Sequence, residues 1–179
     1  NSIVVAAGAN AQTTPAWVNH SAAAIRTAGA LVLQLEIPLA AVGRAVEIAA
    51  ENDVPVILNP APAAALPDSL LAKVDTLTPN EWEAQALTGL AVKDDASAHR
   101  AAQKLLAKGV RTVIITLGSR GAWLETHNQA ERVPAFFVQA QDTTAAGDVF
   151  TAALAVALTE KQALHQAVRF AGAAAAISV

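Results

Sequence analysis

The chain has 179 residues, 54% hydrophobic and 15% charged, with a net charge of −3 and no cysteine. That length supports one domain with its own core, the apolar content excludes a disordered chain, and the missing thiols exclude disulfides and thiolate metal sites. There is no basic block for nucleic acid, no apolar run of membrane-spanning length and no signal-like leader, so the expectation is a soluble cytoplasmic protein with neither nucleic-acid nor membrane partners.

Strand and helix signals alternate along the chain. Residues 2–6 read as a strand that begins abruptly. Thr14 and Pro15 predict a capped helix running to about Thr27, with proline at the first helical position. A second strand is expected over 31–35, a helix from Pro38 to about Glu51, and a third strand over 54–58. Asn59-Pro60-Ala61-Pro62 is a rigid turn. A short helix over 68–73 and a short strand over 76–78 follow. The next helix starts at Pro79-Asn80-Glu81 and ends near Gly89. Asp94 and Asp95 cap a helix to Lys108, closed by Gly109. Residues 111–117 read as a strand, and 122–126 pair back on it as a hairpin after Gly118-Ser119-Arg120-Gly121. Residues 133–138 continue the β region. Two alanine-rich helices finish the chain, the second stopping inside an apolar segment, so both ends read as cut through structure. The sum is an α/β fold: one domain over 1–179, with a doubly wound, mainly parallel sheet flanked by helices and an antiparallel edge.

The run Asp142-Thr143-Thr144-Ala145-Ala146-Gly147-Asp148 stands where the β region meets an apolar helix. First-turn amides of a helix lack internal partners, and the dipole there favours negative charge. Small side chains let a phosphate approach those amides, and an aspartate in the same turn can take a proton from an attacking hydroxyl. Anion cradle and base within one turn point to phosphoryl transfer. In open α/β sheets ligands gather at the carboxyl ends of the strands. Glu36, Asn59, Asn80 with Glu83, Thr116 with Gly118, and Asp142 with Asp148 all follow expected strands, which suggests one cleft.

These motifs, with Thr78-Pro79-Asn80-Glu81-Trp82-Glu83, Thr116-Leu117-Gly118-Ser119-Arg120-Gly121 and Leu33-Gln34-Leu35-Glu36-Ile37-Pro38, stand in the order seen in ribokinase-like carbohydrate kinases, and the chain resembles the C-terminal part of that family. The resemblance implies ATP-dependent phosphorylation of a sugar hydroxyl. Asp148 would be the general base and would also touch the sugar. The amides of Ala145, Ala146 and Gly147 would form an anion hole. Glu36 would bind the sugar. Asn80, the stretch Thr116, Leu117, Gly118, Ser119, Arg120 and Gly121, together with Gly147 and Gly172, would hold the nucleotide. Glu83 would organise Mg2+ through water. Asp142, Thr144 and Ser178 would contribute to a K+ site. Gly172 stands where family members often carry a larger side chain beside the adenine. Such kinases also have an N-terminal segment with a sugar-binding aspartate, a Gly-Gly loop and a β lid that makes a homodimer contact, and this sequence contains none of these.

Each motif also has a plainer reading. Asp148 can serve as a first-turn acid, and Thr78 with Glu81 fits a capping box. The Gly118–Gly121 turn can be a hairpin connection, Glu36 a solvated loop residue, and Asp142 with Thr144 simple turn chemistry. The four histidines lack ligand spacing and read as surface or edge residues. Neither a P-loop nor a dinucleotide fingerprint occurs.

Overall fold

The computed structural model describes residues 6–179. The strand expected over 2–6 therefore lies outside the described residues but for Ala6, which is not in a strand. Thr14 caps α1 (Pro15–His20), its hydroxyl accepting the Trp17 amide. The expected long helix breaks at Ser21, whose φ/ψ of −93°/4° leaves the α region and separates α1 from α2 (Ala22–Arg26). The residues before the break, Asn19 and His20, are weak helix formers.

Four parallel strands follow in spatial order: β1 (Leu31–Leu33), β2 (Val56–Leu58), β3 (Thr76–Leu77) and β4 (Thr112–Thr116). The first is shorter than expected, because the Leu35 amide leaves the ladder for the Ala61 carbonyl at 2.7 Å. Between the strands lie α3 (Leu39–Ala50), α4 (Asp68–Leu71), α5 (Glu81–Thr88) and α6 (Asp95–Leu106). Asp94 caps α6 in a reciprocal box with Ser97. The antiparallel edge is β5 (Ala122–Glu125) and β6 (Ala130–Val133). The last strand thus precedes the expected 133–138. Pro134 cannot donate to a ladder and ends it at Val133. Helices α7 (Ala146–Thr159) and α8 (Leu164–Ile177) complete the chain.

The alternation along β4 explains the layers. Val113 and Ile115 join a core with side chains of α3, α5 and α6, while Ile114 joins another with Leu124, Phe150, Leu154 and Val168 from β5, α7 and α8. Helices thus cover both faces of a mainly parallel sheet, as expected for the α/β class. Among the described residues no helix is long and apolar enough to cross a membrane.

A buried carboxylate ties the antiparallel edge to α6. Glu125 is fully buried and accepts hydrogen bonds from His99 Nδ1, Gln103 Nε2 and Trp123 Nε1. His99 and Gln103 stand one helical turn apart and so converge on one side of α6. The histidine is an edge residue, as its lack of ligand spacing suggested, and it has a structural partner. Glu125→Ala would remove the acceptor shared by His99, Gln103 and Trp123 and leave unfilled space at a fully buried position. The expected loss is about 2–4 kcal/mol in urea unfolding, against about 1 kcal/mol for Glu125→Gln, which keeps one acceptor.

Candidate active site

Parallel strands deliver their carboxyl ends to one edge of the sheet, and the candidate residues follow from that placement. A cavity of about 370 Å³ opens there. Thr116, Gly118, Ser119 and Gly121 line it from the end of β4 and the 3-10 turn Gly118–Arg120. Ala146 and Gly147 line it from the start of α7, and Gly172 from the middle of α8. Three separate sequence motifs therefore meet around one space.

Gly121 shows why the turn requires its residue. Its φ is +93°, and a Cβ there would stand 2.1 Å from the Val133 carbonyl oxygen. The segment after β6 can thus fold directly over the turn, and Pro134 through Val138 form a cavity wall absent from the expected site. The signal was present as an adjacent aromatic pair, Phe136-Phe137, in a chain only 4% aromatic. Phe136 lies under the Arg169 guanidinium at 5.5 Å, a cation–π contact that orients this wall. The Leu117 side chain, by contrast, is buried in the core, and only its backbone serves the turn, donating to the Gly121 carbonyl at 2.8 Å. Arg120 turns away from the cavity to an ion pair with Glu81 and to the Lys93 carbonyl.

At α7, Ala145 takes the N-cap position with φ +61° and provides no side-chain cap. Among the described residues the amides of Ala145, Gly147 and Asp148 have no acceptor, whereas that of Ala146 makes a long 3.3 Å bond to the Thr143 carbonyl. The open set therefore includes Asp148's own amide, which the motif did not single out. The Asp148 side chain is exposed and makes no capping hydrogen bond. Its carboxylate can complement the helix dipole and still accept a proton from a ligand.

Asn80 is held beside β4 by a parallel bridge to Thr116 and by the Thr116 amide, which donates to the Pro79 carbonyl at 2.9 Å. The capping box expected from Thr78 and Glu81 is made instead by Asn80 and Glu83. Asn80 Oδ1 accepts the Glu83 amide at 2.9 Å, and both Glu83 oxygens accept from Asn80, one from its amide and one from Nδ2, each at 2.8 Å. Thr78 cannot cap because its hydroxyl is buried against Thr151. Burial raises the Glu83 pKa, and the two Asn80 hydrogen bonds oppose that shift without cancelling it.

Asp142 and Thr144 form a compact turn. Asp142 Oδ1 accepts both the Thr144 amide at 2.8 Å and its hydroxyl at 2.6 Å. Those two bonds hold the exposed Asp142 carboxyl below its usual range. Ser178 caps the end of α8, its hydroxyl donating to the Ala175 carbonyl. Thr143 and Val179 both line the cavity, so these turn and cap residues stand next to it in the chain. Among the described residues no group of three or more His, Asp or Glu gathers as a metal cluster. Glu36 is exposed after β1, three strand spacings from β4, or about 14 Å. It shares the carboxyl edge without lining the cavity.

The sequence matches the pfkB family carbohydrate kinase profile over residues 1–179. The chain belongs to this family. It is 48% identical over 179 residues to a ribokinase of Haemophilus influenzae, covering all of this chain and 58% of that protein. A deoxyribokinase of Salmonella typhi is 37% identical over 180 residues, with 59% of its length covered. The structure of Arabidopsis thaliana ribokinase complexed with ribose and ATP superimposes with a TM-score of 0.92 at 35% identity, over 98% of this chain and 58% of that one. The chain thus spans a little under three fifths of these relatives' lengths. The likeness extends to the family's mixed sheet with helices on both faces.

The raised Glu83 pKa has a measurable consequence. Its folded-state proton stabilises the fold fully below about pH 4.5, the ordinary value, and that stability is lost as pH rises through the higher folded value. Glu83→Gln cannot ionise. Urea midpoints of variant and wild type measured from pH 4.5 upward are expected to shift in the variant's favour as pH increases. A constant difference across that range would mean that burial does not penalise the Glu83 charge.

Proposed function

We propose that this chain is the nucleotide-binding and catalytic part of an ATP-dependent sugar kinase acting on a primary hydroxyl, with D-ribose the preferred acceptor and D-ribose 5-phosphate and ADP the products. The observation that carries this reading is the convergence of the glycine turn after β4 and the first turn of α7, through Ala146 and Gly147, on one cavity, with the open Gly147 amide and an uncapped carboxylate in that turn.

Asp148 takes the proton of the sugar hydroxyl, whose oxygen attacks the terminal phosphorus as the bond to ADP breaks. The amides of Ala145, Gly147 and Asp148 stabilise charge on the transferred phosphoryl oxygens, with the Ala146 amide joining if it releases the Thr143 carbonyl. The apolar wall from Pro134 to Val138 and the open face of Gly172 suit a flat nucleobase. Asn80, beside Thr116, reaches toward the phosphates, and Glu36, further along the same edge, toward the sugar. Magnesium fits at Glu83, whose oxygens each accept one bond from Asn80 and keep lone pairs for a hydrated cation's water. Such a cation supplies charge neutralisation on the phosphates. Potassium fits near Asp142 and Thr144, where Asp142 Oδ2 is uncommitted, with Ser178 as a further oxygen donor. The whole protein is read as a homodimer of the family's usual kind.

A second reading, favoured by the deoxyribokinase match, is a family kinase with 2-deoxyribose, fructose or a nucleoside as acceptor. A third is a nucleotide-binding module without turnover. A coupled ADP-release assay across ribose, 2-deoxyribose, fructose and adenosine separates the first two, in the protein extended to its relatives' length. ATP binding without turnover on any of them would favour the third. In the same protein Asp148→Ala is expected to lower kcat by about 10²–10⁴-fold while calorimetric ATP affinity stays nearly unchanged. Near-normal turnover would remove Asp148 as the base.

A further inference from the structure

The carboxyl edge of the sheet also holds a buried polar chain with no part in the site described so far. Asn59, directly after β2, donates from Nδ2 to the Thr78 carbonyl at 2.8 Å. The Thr78 hydroxyl, directly after β3, lies 3.2 Å from the hydroxyl of Thr151 on α7. The three residues are 7%, 1% and 4% exposed.

Thr151 is the one polar side chain that α7 buries among the described residues; its companions there are Phe150, Leu154, Ala155 and Ala157. Apolar contact is non-directional and tolerates sliding or rolling of a helix, whereas a hydrogen bond fixes distance and direction. Among the described residues no other side-chain hydrogen bond anchors the start of α7. Its N-cap residue is an alanine, and residues 134–145, which lead into it, form no helix or strand. Packing alone does not require the hydroxyls, since a valine pair would have the same shape without polar groups to desolvate.

The contact joins the two halves of the site by short covalent paths. Thr151 follows Asp148 by three residues, about 4.5 Å along the helix axis. Thr78 precedes Asn80 by two residues, at most about 7 Å of chain. We propose that the Thr78–Thr151 hydrogen bond, braced by Asn59, is a positioning link. It sets the first turn of α7, with its open amides and Asp148, against the Asn80–Glu83 pair at the start of α5. The inference rests on the kinase reading above. Thr78 and Thr151 touch no substrate in it and act only by placing the groups that do.

The test uses the protein at its relatives' full length, with kcat and KM for ATP from coupled ADP release and stability from urea midpoints. Thr78→Val leaves the buried Thr151 hydroxyl unpaired, Thr151→Val leaves that of Thr78 with only the 3.5 Å approach of Asn59 Nδ2, and the midpoint is expected to fall in both. The double valine variant removes both hydroxyls, and its midpoint is expected to return toward wild type. Its kcat is nevertheless expected to stay about tenfold or more below wild type, with KM for ATP within about twofold, because misplacement acts on turnover. Thr151→Ser keeps the hydroxyl and is expected to retain kcat within about twofold. A double valine variant with wild-type kcat, or a serine variant as impaired as the valine one, overturns the link. If the double variant does not fold, Thr151→Ala against Thr151→Ser gives the same comparison, and equal kcat values overturn the proposal. A wild-type protein that phosphorylates no sugar overturns the kinase reading and the link together; an active one with unaffected variants overturns the link alone.

Discussion

A helix cannot satisfy its own first amides, and the placement of α7 brings one of those left open, that of Gly147, to a cavity. Three helix starts resolve it locally, while α2, α3, α4 and α8, like α7, have no side-chain cap. Thr14 caps α1, Asn80 caps α5 and Asp94 caps α6, each with a side-chain oxygen. At α7 the capping residue is Ala145 in a left-handed conformation, and the amides of Ala145, Gly147 and Asp148 stay open. Leaving such groups unpaired costs free energy unless water or a ligand meets them. The surrounding structure suits a ligand, because the small residues that fail to cap also leave room for one.

Holding that helix end in place requires both faces of the sheet. The parallel strands bring Asn59, Thr78 and Thr116 to one edge, while α7 and α8 pack across the opposite face from α5 and α6. The turn after β4 closes the cavity because Gly121 lets residues 133–135 pass against its backbone. Glu125 fixes β5 to α6 on the side away from α7 and so steadies the strand that the turn enters.

Much of this was legible in the sequence because backbone requirements leave marks. Pro15, Gly89, Gly109 and the strand-end motifs located the helices and the carboxyl edge within a few residues. The misplacements have physical causes. Residues 133–138 are apolar enough for a strand, but Pro134 removes a ladder donor and the segment becomes a wall. Residues 14–27 have one continuous helical pattern, and only the backbone at Ser21 reveals the break. The capping box was expected in the Thr78–Glu81 register and forms two residues later. The choice between Thr78 and Asn80 depended on a tertiary contact with Thr151, 73 residues away, which no local pattern encodes. The aromatic wall was missed for the same reason, since it depends on how distant segments meet, whereas the open Asp148 amide follows from its place in the first turn of α7.

The plain readings of these motifs are compatible with the proposed functional ones. Asn80 and Glu83 cap a helix, yet the cap itself holds Asn80 beside Thr116 and presents Glu83 with lone pairs to spare. Asp142 and Thr144 make an ordinary turn, yet that turn leads Thr143 to the cavity and leaves one carboxylate oxygen uncommitted. Local hydrogen bonds of this kind freeze side-chain rotamers before any ligand arrives, so less ordering entropy remains to be lost on binding. A residue's having a structural partner is therefore weak evidence against a role in the site. Asp148, the third residue of α7, is the complementary case: among the described residues its side chain makes no capping hydrogen bond, and under the proposed kinase reading that leaves it uncommitted for a substrate.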